Sequence, residues 1–274
     1  MQASSLENFD GTNQRIPIIT YHSIDKSGSI VSTSPDVFRR QIVALSAEGY
    51  RSRTLAEFAG DVKAGNWPRA KTVILTFDDG FENFYTEAAP VLREHGFSAT
   101  VFLVSSKCGE FNDWSGNPHD LPKSRLLSWS QIRELSDSGI EFGSHTMTHP
   151  ELTSVSSDVS AIEIRQSKTV IEDAIGRPVD SFAYPFGRFT PGVRRLVEET
   201  YATACSTNLG RISRDSDMHA LQRLDAYYLS NPRSLQHLGS RWMDGYFSFR
   251  QLLRNVRGSL VGNNSGAISS AQYN

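Results

Sequence analysis

Residues 72–80 read TVILTFDDG. The first six are apolar on both faces, which marks a strand covered on both sides, and Asp78, Asp79 and Gly80 follow at once. Such a strand belongs in a parallel sheet dressed with helices. Whether it has companions decides the fold.

It has several. IPIITY (16–21), ATVFLV (99–104), IEFGSH (140–145), SFAYP (181–185), YATACS (201–206) and LQRLDAYY (221–228) are further short strand-like runs. Helical patterns separate them. Ser34-Pro35 opens DVFRRQIVALSAEG, which stops at Gly49. A helix follows around FYTEAAPVLREHG, and another, SWSQIRELSDSG, is capped by Ser128 and stopped by Gly139. A long one fills roughly 156–175 before Gly176, and TPGVRRLVEETY is the next. Strands alternating with helices about seven times predict a single-domain α/β chain, a distorted (β/α)7 barrel of parallel strands. An open doubly wound sheet is the alternative, but no GxGxxG fingerprint follows the first strand. The barrel is expected over 14–258, with an N-terminal tail at 1–13 and a flexible, Gly- and Ser-rich C-terminal tail at 259–274. Residues 233–258 read as one final helix.

Bulk properties narrow the class. The 274 residues are 38% hydrophobic and 21% charged, as in an ordinary globular protein. A formal net charge of −2 gives no global basic field for nucleic acid. No apolar run approaches the ~20 residues of a transmembrane helix. MQASSLENFDGTNQR lacks a basic start followed by an apolar stretch, so it reads as cytoplasmic, or as extracytoplasmic if a leader was removed. Cys108 and Cys205 read as two buried thiols.

The reactive residues cluster by position. His22 ends the first strand, Asp78 and Asp79 the second, His145 and His149 a middle one, and Tyr184, Pro185, Phe186 and Gly187 the next. In a parallel barrel all strand C-termini share one rim, where barrel active sites lie. Each stretch has a bland reading: Asp-Asp-Gly and Tyr-Pro-Phe-Gly are turn signals, and a histidine pair four apart occurs on many surfaces. Their convergence on one rim is harder to dismiss. His145, His149 and one of the two aspartates make an open three-ligand site for a divalent metal. The other aspartate is placed to act as a base.

TFDDG, HTMTHP and YPFG, in this order, resemble the NodB-homology polysaccharide deacetylases, carbohydrate esterase family 4, over roughly residues 14–230. The resemblance implies a distorted (β/α)7 barrel and metal-dependent removal of N- or O-acetyl groups from glycans. It implies Asp78 as catalytic base, and Asp79, His145 and His149 as metal ligands, with Zn2+ expected and Co2+, Ni2+ or Mn2+ as alternatives. The backbone N–H of Phe186 is implied as an oxyanion donor, with Tyr184 and Pro185 completing that turn on the substrate side. The substrate partner would be an acetylated saccharide.

Two departures stand out. The family carries an arginine two residues before the proline, and Ala183 stands here; Arg223, in LQRLDAYY, is the candidate replacement, with a surface or structural ion pair as its plain reading. The family's late Leu-x-x-His, source of the acid, is missing, and His219 in HALQRL has the wrong arrangement. A subgroup acting on poly-N-acetylglucosamine instead opens with Tyr-His after the first strand. YHSI matches, so His22 is the candidate acid. A catalytically idle glycan-binding barrel and an O-acetyl esterase remain as alternatives. Trp114 and Trp129 line a sugar cleft or pack as core. The C-terminal helix, rich in aromatics and arginines, covers a barrel end or docks on a membrane or partner.

Overall fold

A computed structural model describes residues 14–68 and 71–261. Ten strands are present among them: β1 (Ile18–Tyr21), β2 (Ser23–Ile24), β3 (Ser32–Thr33), β4 (Arg51–Arg53), β5 (Thr72–Phe77), β6 (Thr100–Leu103), β7 (Glu141–Ser144), β8 (Ser181–Ala183), β9 (Thr203–Leu209) and β10 (Leu221–Asp225). The helices are α1 (Pro35–Ala47), α2 (Leu55–Lys63), α3 (Ala89–Glu94), α4 (Trp129–Asp137), α5 (Ser157–Ile175), α6 (Pro191–Thr200), α7 (Pro232–Gln236) and α8 (Arg241–Val261).

The strand order β1-β10-β9-β8-β7-β6-β5 returns to β1, because β1 pairs with both β10 and β5. All these pairings are parallel. The seven ring strands are the seven expected from sequence, and the barrel is closed. β4 joins outside the ring, against the first half of β5.

Alternation sorts the side chains. Val73, Leu75 and Phe77 of β5 share a cluster with Phe38, Ile42, Ile132, Ile164 and Val197 of the surrounding helices. Ile74 falls instead with Ile18, Phe102, Ala183, Cys205 and Leu221, the barrel interior. Leu55 and Phe58 of α2 and Trp67 join that inner cluster and plug the barrel at the end away from the strand C-termini. The start of α2 is tied into the strands: Thr100 Oγ1 accepts from Leu55 N at 3.0 Å, and Glu141 Oε2 accepts from Ala56 N at 2.9 Å.

Local signals explain most boundaries. Ser34, Ser128 and Ser156 each accept a backbone N–H of their helix's first turn, and Gly176 ends α5 at φ 66°. Three expectations change. The run 221–228 is strand only to Asp225 and then turns as a short 3-10 segment. YATACS is strand from Thr203, and it continues to Leu209. The single last helix is two, α7 and α8, with His237–Ser240 between them. The expected tails at 1–13 and 259–274 lie outside the described residues, apart from 259–261, which continue α8. Both cysteines are free thiols, and burial pushes each up to about 12. Among the described residues no helix is long and apolar enough to cross a membrane.

Phe58 has no exposed surface and seals the plug. Phe58→Ala should lower unfolding stability by about 3–5 kcal/mol in urea denaturation. A loss under ~1 kcal/mol would mean the inner cluster closes without it.

Candidate metal centre and rim

Asp78 leaves β5 with its N–H on Tyr21 O at 2.9 Å, so the second ring strand stays registered on the first to its last residue. Asp79 then takes φ 73° and Gly80 φ 72°. A Cβ on Gly80 would sit 2.8 Å from Leu103 Cδ2, so the turn needs glycine for conformation and for space.

His145 follows β7, and its N–H donates to Leu103 O at 2.8 Å. Its Nδ1 is 2.7 Å from Ala183 O. A carbonyl only accepts, so Nδ1 carries the proton and Nε2 presents a lone pair. That lone pair is 3.6 Å from Asp79 Oδ1; His149 Nε2 is 3.5 Å from the same oxygen and 3.2 Å from His145 Nε2. All three residues are buried, and their ligand atoms lie within 4.8 Å of one another. Among the described residues Asp79 Oδ1 has no hydrogen-bond partner. Burial pushes the Asp79 carboxyl up. Burial, then the charge of His145, pushes the His149 imidazole well down. Buried acceptors facing one another without enough protons between them suit a bound cation, so the donor set fits a divalent metal of the imidazole-carboxylate kind.

Asp78 has the opposite surroundings. Burial alone would raise its carboxyl, but the Arg223 guanidinium overrides this and holds it well below the usual carboxylate range. Arg223 Nη1 and Nη2 donate to Asp78 Oδ1 and Oδ2, both at 2.7 Å, a two-pronged fork. Arg223 Nε donates to Ser206 O at 2.9 Å. The fork is aimed by a β9–β10 irregularity: Leu221 pairs with Cys205 but Arg223 with Leu209. Arg223 is 1% exposed, so it is no surface ion pair. Ala183, where the family motif has arginine, faces the same interior.

His22 Nε2 lies 3.8 Å from Asp78 Oδ2. The imidazole is partly exposed, in a cleft shared with Val31, Thr33, Asp225 and Tyr227. In the YPFG turn Phe186 takes φ 58° and Gly187 φ 68°. A Cβ on Gly187 would be 2.1 Å from Thr207 Oγ1. The Phe186 ring stands edge-on to His149 at 4.9 Å, and Trp114 lies over His149 at 4.8 Å. The loop carrying Trp114 therefore reaches the centre, whereas Trp129 packs against the main core. Pro185 is buried within the turn. Tyr184 does not face the site: it is fully buried on the helix-facing side, and its hydroxyl donates to His219 O at 2.9 Å. Its expected place on the substrate side is corrected by simple alternation, since Ala183 points inward. His219 is structural, with Nε2 3.0 Å from Tyr201 O.

One residue of the centre escaped the sequence. Glu163 of α5 is buried beneath the histidine loop. Its Oε2 accepts from Met147 N at 2.8 Å and Thr148 N at 2.9 Å, and its Oε1 from Thr148 Oγ1 at 2.7 Å. Thr146 Oγ1 accepts from His149 N at 3.0 Å. The available signal was an acid on the buried stripe Ser160, Glu163, Ile164, Ser167, Ile171. Glu163→Ala should weaken metal affinity about 10–100-fold, and Glu163→Gln less, in titrations that follow bound metal directly. Unchanged affinity in both variants would show that the loop holds its shape alone.

Comparison with known proteins gives the chain a family and its fold close counterparts. The family model for polysaccharide deacetylase matches residues 65–204. The putative polysaccharide deacetylase YxkH of Bacillus subtilis is 30% identical over 211 residues, 77% of this chain and 71% of that protein. The poly-beta-1,6-N-acetyl-D-glucosamine N-deacetylase of Staphylococcus epidermidis is 29% identical over 165 residues; the match takes in 57% of this chain and about half, 54%, of that protein. Among solved structures, the Streptococcus pyogenes deacetylase PplD in complex with acetate superposes with a TM-score of 0.74 at 25% identity, over 84% of this chain and 100% of that one. IcaB from Ammonifex degensii gives 0.66 at 23% identity, over 83% of this chain and 96% of that one, a likeness of fold. By sequence and by architecture, this chain belongs to the polysaccharide deacetylase family.

Proposed function

We propose that the chain is a zinc-dependent hydrolase that removes N-acetyl groups from a saccharide. The observation that carries the reading is the pair of adjacent carboxylates with opposite surroundings: Asp78 forked by Arg223, Asp79 turned unpaired toward two imidazoles. A binding module has no use for a buried carboxylate kept ionised beside a metal centre, which argues against an idle barrel.

Asp79, His145 and His149 would hold the cation, and two imidazoles with one carboxylate suit zinc. When bound, it supplies Lewis acidity, polarising an acyl carbonyl and acidifying water. Asp78 takes a proton from the attacking water, and Arg223 positions that carboxylate. The Phe186 N–H, presented by the left-handed turn, faces the oxyanion as the carbonyl becomes tetrahedral. His22 gives a proton to the sugar nitrogen as the C–N bond breaks, so water and amide become acetate and amine. The names of the relatives, polysaccharide and poly-N-acetylglucosamine deacetylases, support a glycan substrate.

Asp78→Asn should lower acetate release from N-acetylglucosamine oligomers about 10²–10⁴-fold while elemental analysis finds metal still bound. Full turnover at full metal occupancy would sink the assignment. An amide needs its leaving nitrogen protonated, whereas an activated ester leaves without help. His22→Ala should therefore cost about 100-fold or more on the N-acetyl substrate and under ~10-fold on an aryl acetate. Equal losses on both would remove His22 from the acid role.

A further inference from the structure

His22 belongs to no strand. β1 ends just before it, at Tyr21, and β2 begins just after it, at Ser23. Its ring stands 3.8 Å from Asp78 Oδ2, beyond hydrogen-bond length. The backbone on either side of it therefore decides where the imidazole lies. On the first side Tyr21 O accepts from Asp78 N at 2.9 Å. On the second side the holder is Asn83. Its Oδ1 accepts from Ile24 N at 3.0 Å, and its Nδ2 donates to Ser23 Oγ at 2.7 Å. A backbone N–H only donates, so Ile24 fixes which end of the amide is oxygen. An asparagine just before a helix ordinarily caps it. Asn83 precedes the π-helical turn Phe84–Ala88, which runs on into α3, yet among the described residues its side chain makes no capping bond. Both ends of the amide turn to β2 instead. The backbone under Asn83 is itself held, since Phe84 N donates to Phe81 O at 3.0 Å and Tyr85 N to Glu82 O at 2.9 Å.

β2 needs such a hold. It pairs with β3, Ser23 with Ser32 and Ile24 with Thr33, and a two-stranded ribbon this short is not stable by itself. Ser23 N donates to Val31 O at 3.2 Å and Asp25 N to Thr33 O at 3.1 Å. The hydroxyls of Ser23 and Ser32 both donate to the Asp25 carboxylate. These bonds close segment 23–33 on itself. Its far end is tied down by Ser29 Oγ, which donates to Asp120 Oδ1 at 3.2 Å. Asn83 is the tie beside His22.

We propose that Asn83 is a positioning residue for the proton donor of the rim. Asp78, Asp79 and Asn83 lie on one short stretch of chain, so the base, a metal ligand and the anchor of His22 share a single support. The two bonds of the amide set the spacing between the group that takes a proton from water and the group that gives one to the leaving nitrogen. Misplacing a reacting group by about 1 Å can cost about 100-fold in rate. Asn83 touches neither substrate nor metal; it acts through the backbone of Ser23 and Ile24. The inference rests on His22 as the acid of the function proposed above.

The test compares N-acetylglucosamine oligomers with an aryl acetate, using metal-loaded protein. Asn83→Ala should lower kcat on the oligomers about tenfold or more, with KM little changed, and lower aryl acetate hydrolysis by under ~3-fold. Metal content by elemental analysis should match that of the intact protein. Ser23→Ala, which removes the acceptor of Nδ2, should show the same selectivity at smaller size, and it carries the test if Asn83→Ala does not fold. In a His22→Ala background Asn83→Ala should cost nothing further on the oligomers, because no imidazole is left to place. Equal losses on both substrates, an unchanged kcat on the oligomers, or a further loss on top of His22→Ala each overturns the proposal. The two readings fail separately. If His22→Ala itself is not selective for the amide, the acid assignment falls and this inference with it. If His22→Ala is selective and Asn83→Ala is not, the role of Asn83 alone falls.

Discussion

Closure of the ring through β1 is the constraint on which the rest depends. β1 pairs along β5 from Ile18 with Ile74 to Tyr21 with Phe77, and on its other side sets Thr20 against Asp225 of β10. In an open sheet β5 and β10 would stand apart. Closed, they flank one strand, and residues 145 positions apart in sequence, Asp78 and Arg223, meet at 2.7 Å. Burying two charges is costly, and a pair repays it only where geometry is good and remaining donors are met. Here the fork is two-pronged, Nε reaches Ser206 O, and Nη1 also lies 3.3 Å from Thr76 Oγ1. His22, on the strand between, comes to the same carboxylate without any feature of its own beyond its place in the ring.

The same rim gives neighbouring aspartates different chemistry. On an extended strand successive side chains point to opposite faces, and a turn must redirect the second. Asp79 does so at φ 73°. The four non-glycine residues with positive φ among those described are Asp79, Thr146, His149 and Phe186, and all belong to the three loops of this centre. Left-handed backbone costs of order 1–3 kcal/mol per residue and persists where surroundings over-determine it. Strain is thus gathered where ligand atoms must be aimed, while the rest of the barrel is relaxed.

Legibility followed the physics of burial. The seven ring strands could be read because most are short and apolar and helical patterns separate them. β4 could not, since RSR is charged and mostly exposed. The helix after it went unread as well, although Thr54 and Glu57 form a capping box there. The break before α8 falls at Gly239. Residues with reactive side chains at strand ends were legible because a parallel barrel fixes where strand ends go. The path of the loop carrying Trp114 was not, because nothing local dictates how 105–127 folds back over His149. Gly116 shows how closely it does so: a Cβ there would come 2.9 Å from Phe186 Cζ.

Glu163 belongs to neither category, and its chemistry explains the histidine loop. Two left-handed residues, Thr146 and His149, bracket Met147 and Thr148, whose N–H groups join no strand or helix ladder and turn to the Glu163 side chain of α5. Left buried without partners, such donors would cost about 1–3 kcal/mol each. One carboxylate oxygen, Glu163 Oε2, takes both, and Oε1 takes the Thr148 hydroxyl as well. The loop conformation that brings His149 Nε2 within 3.2 Å of His145 Nε2 is therefore stable because an anion lies beneath it. The second carboxylate below the loop would not compete for a cation held by Asp79 and the two imidazoles, because its oxygens are already committed to the backbone and hydroxyl of the loop that carries those imidazoles.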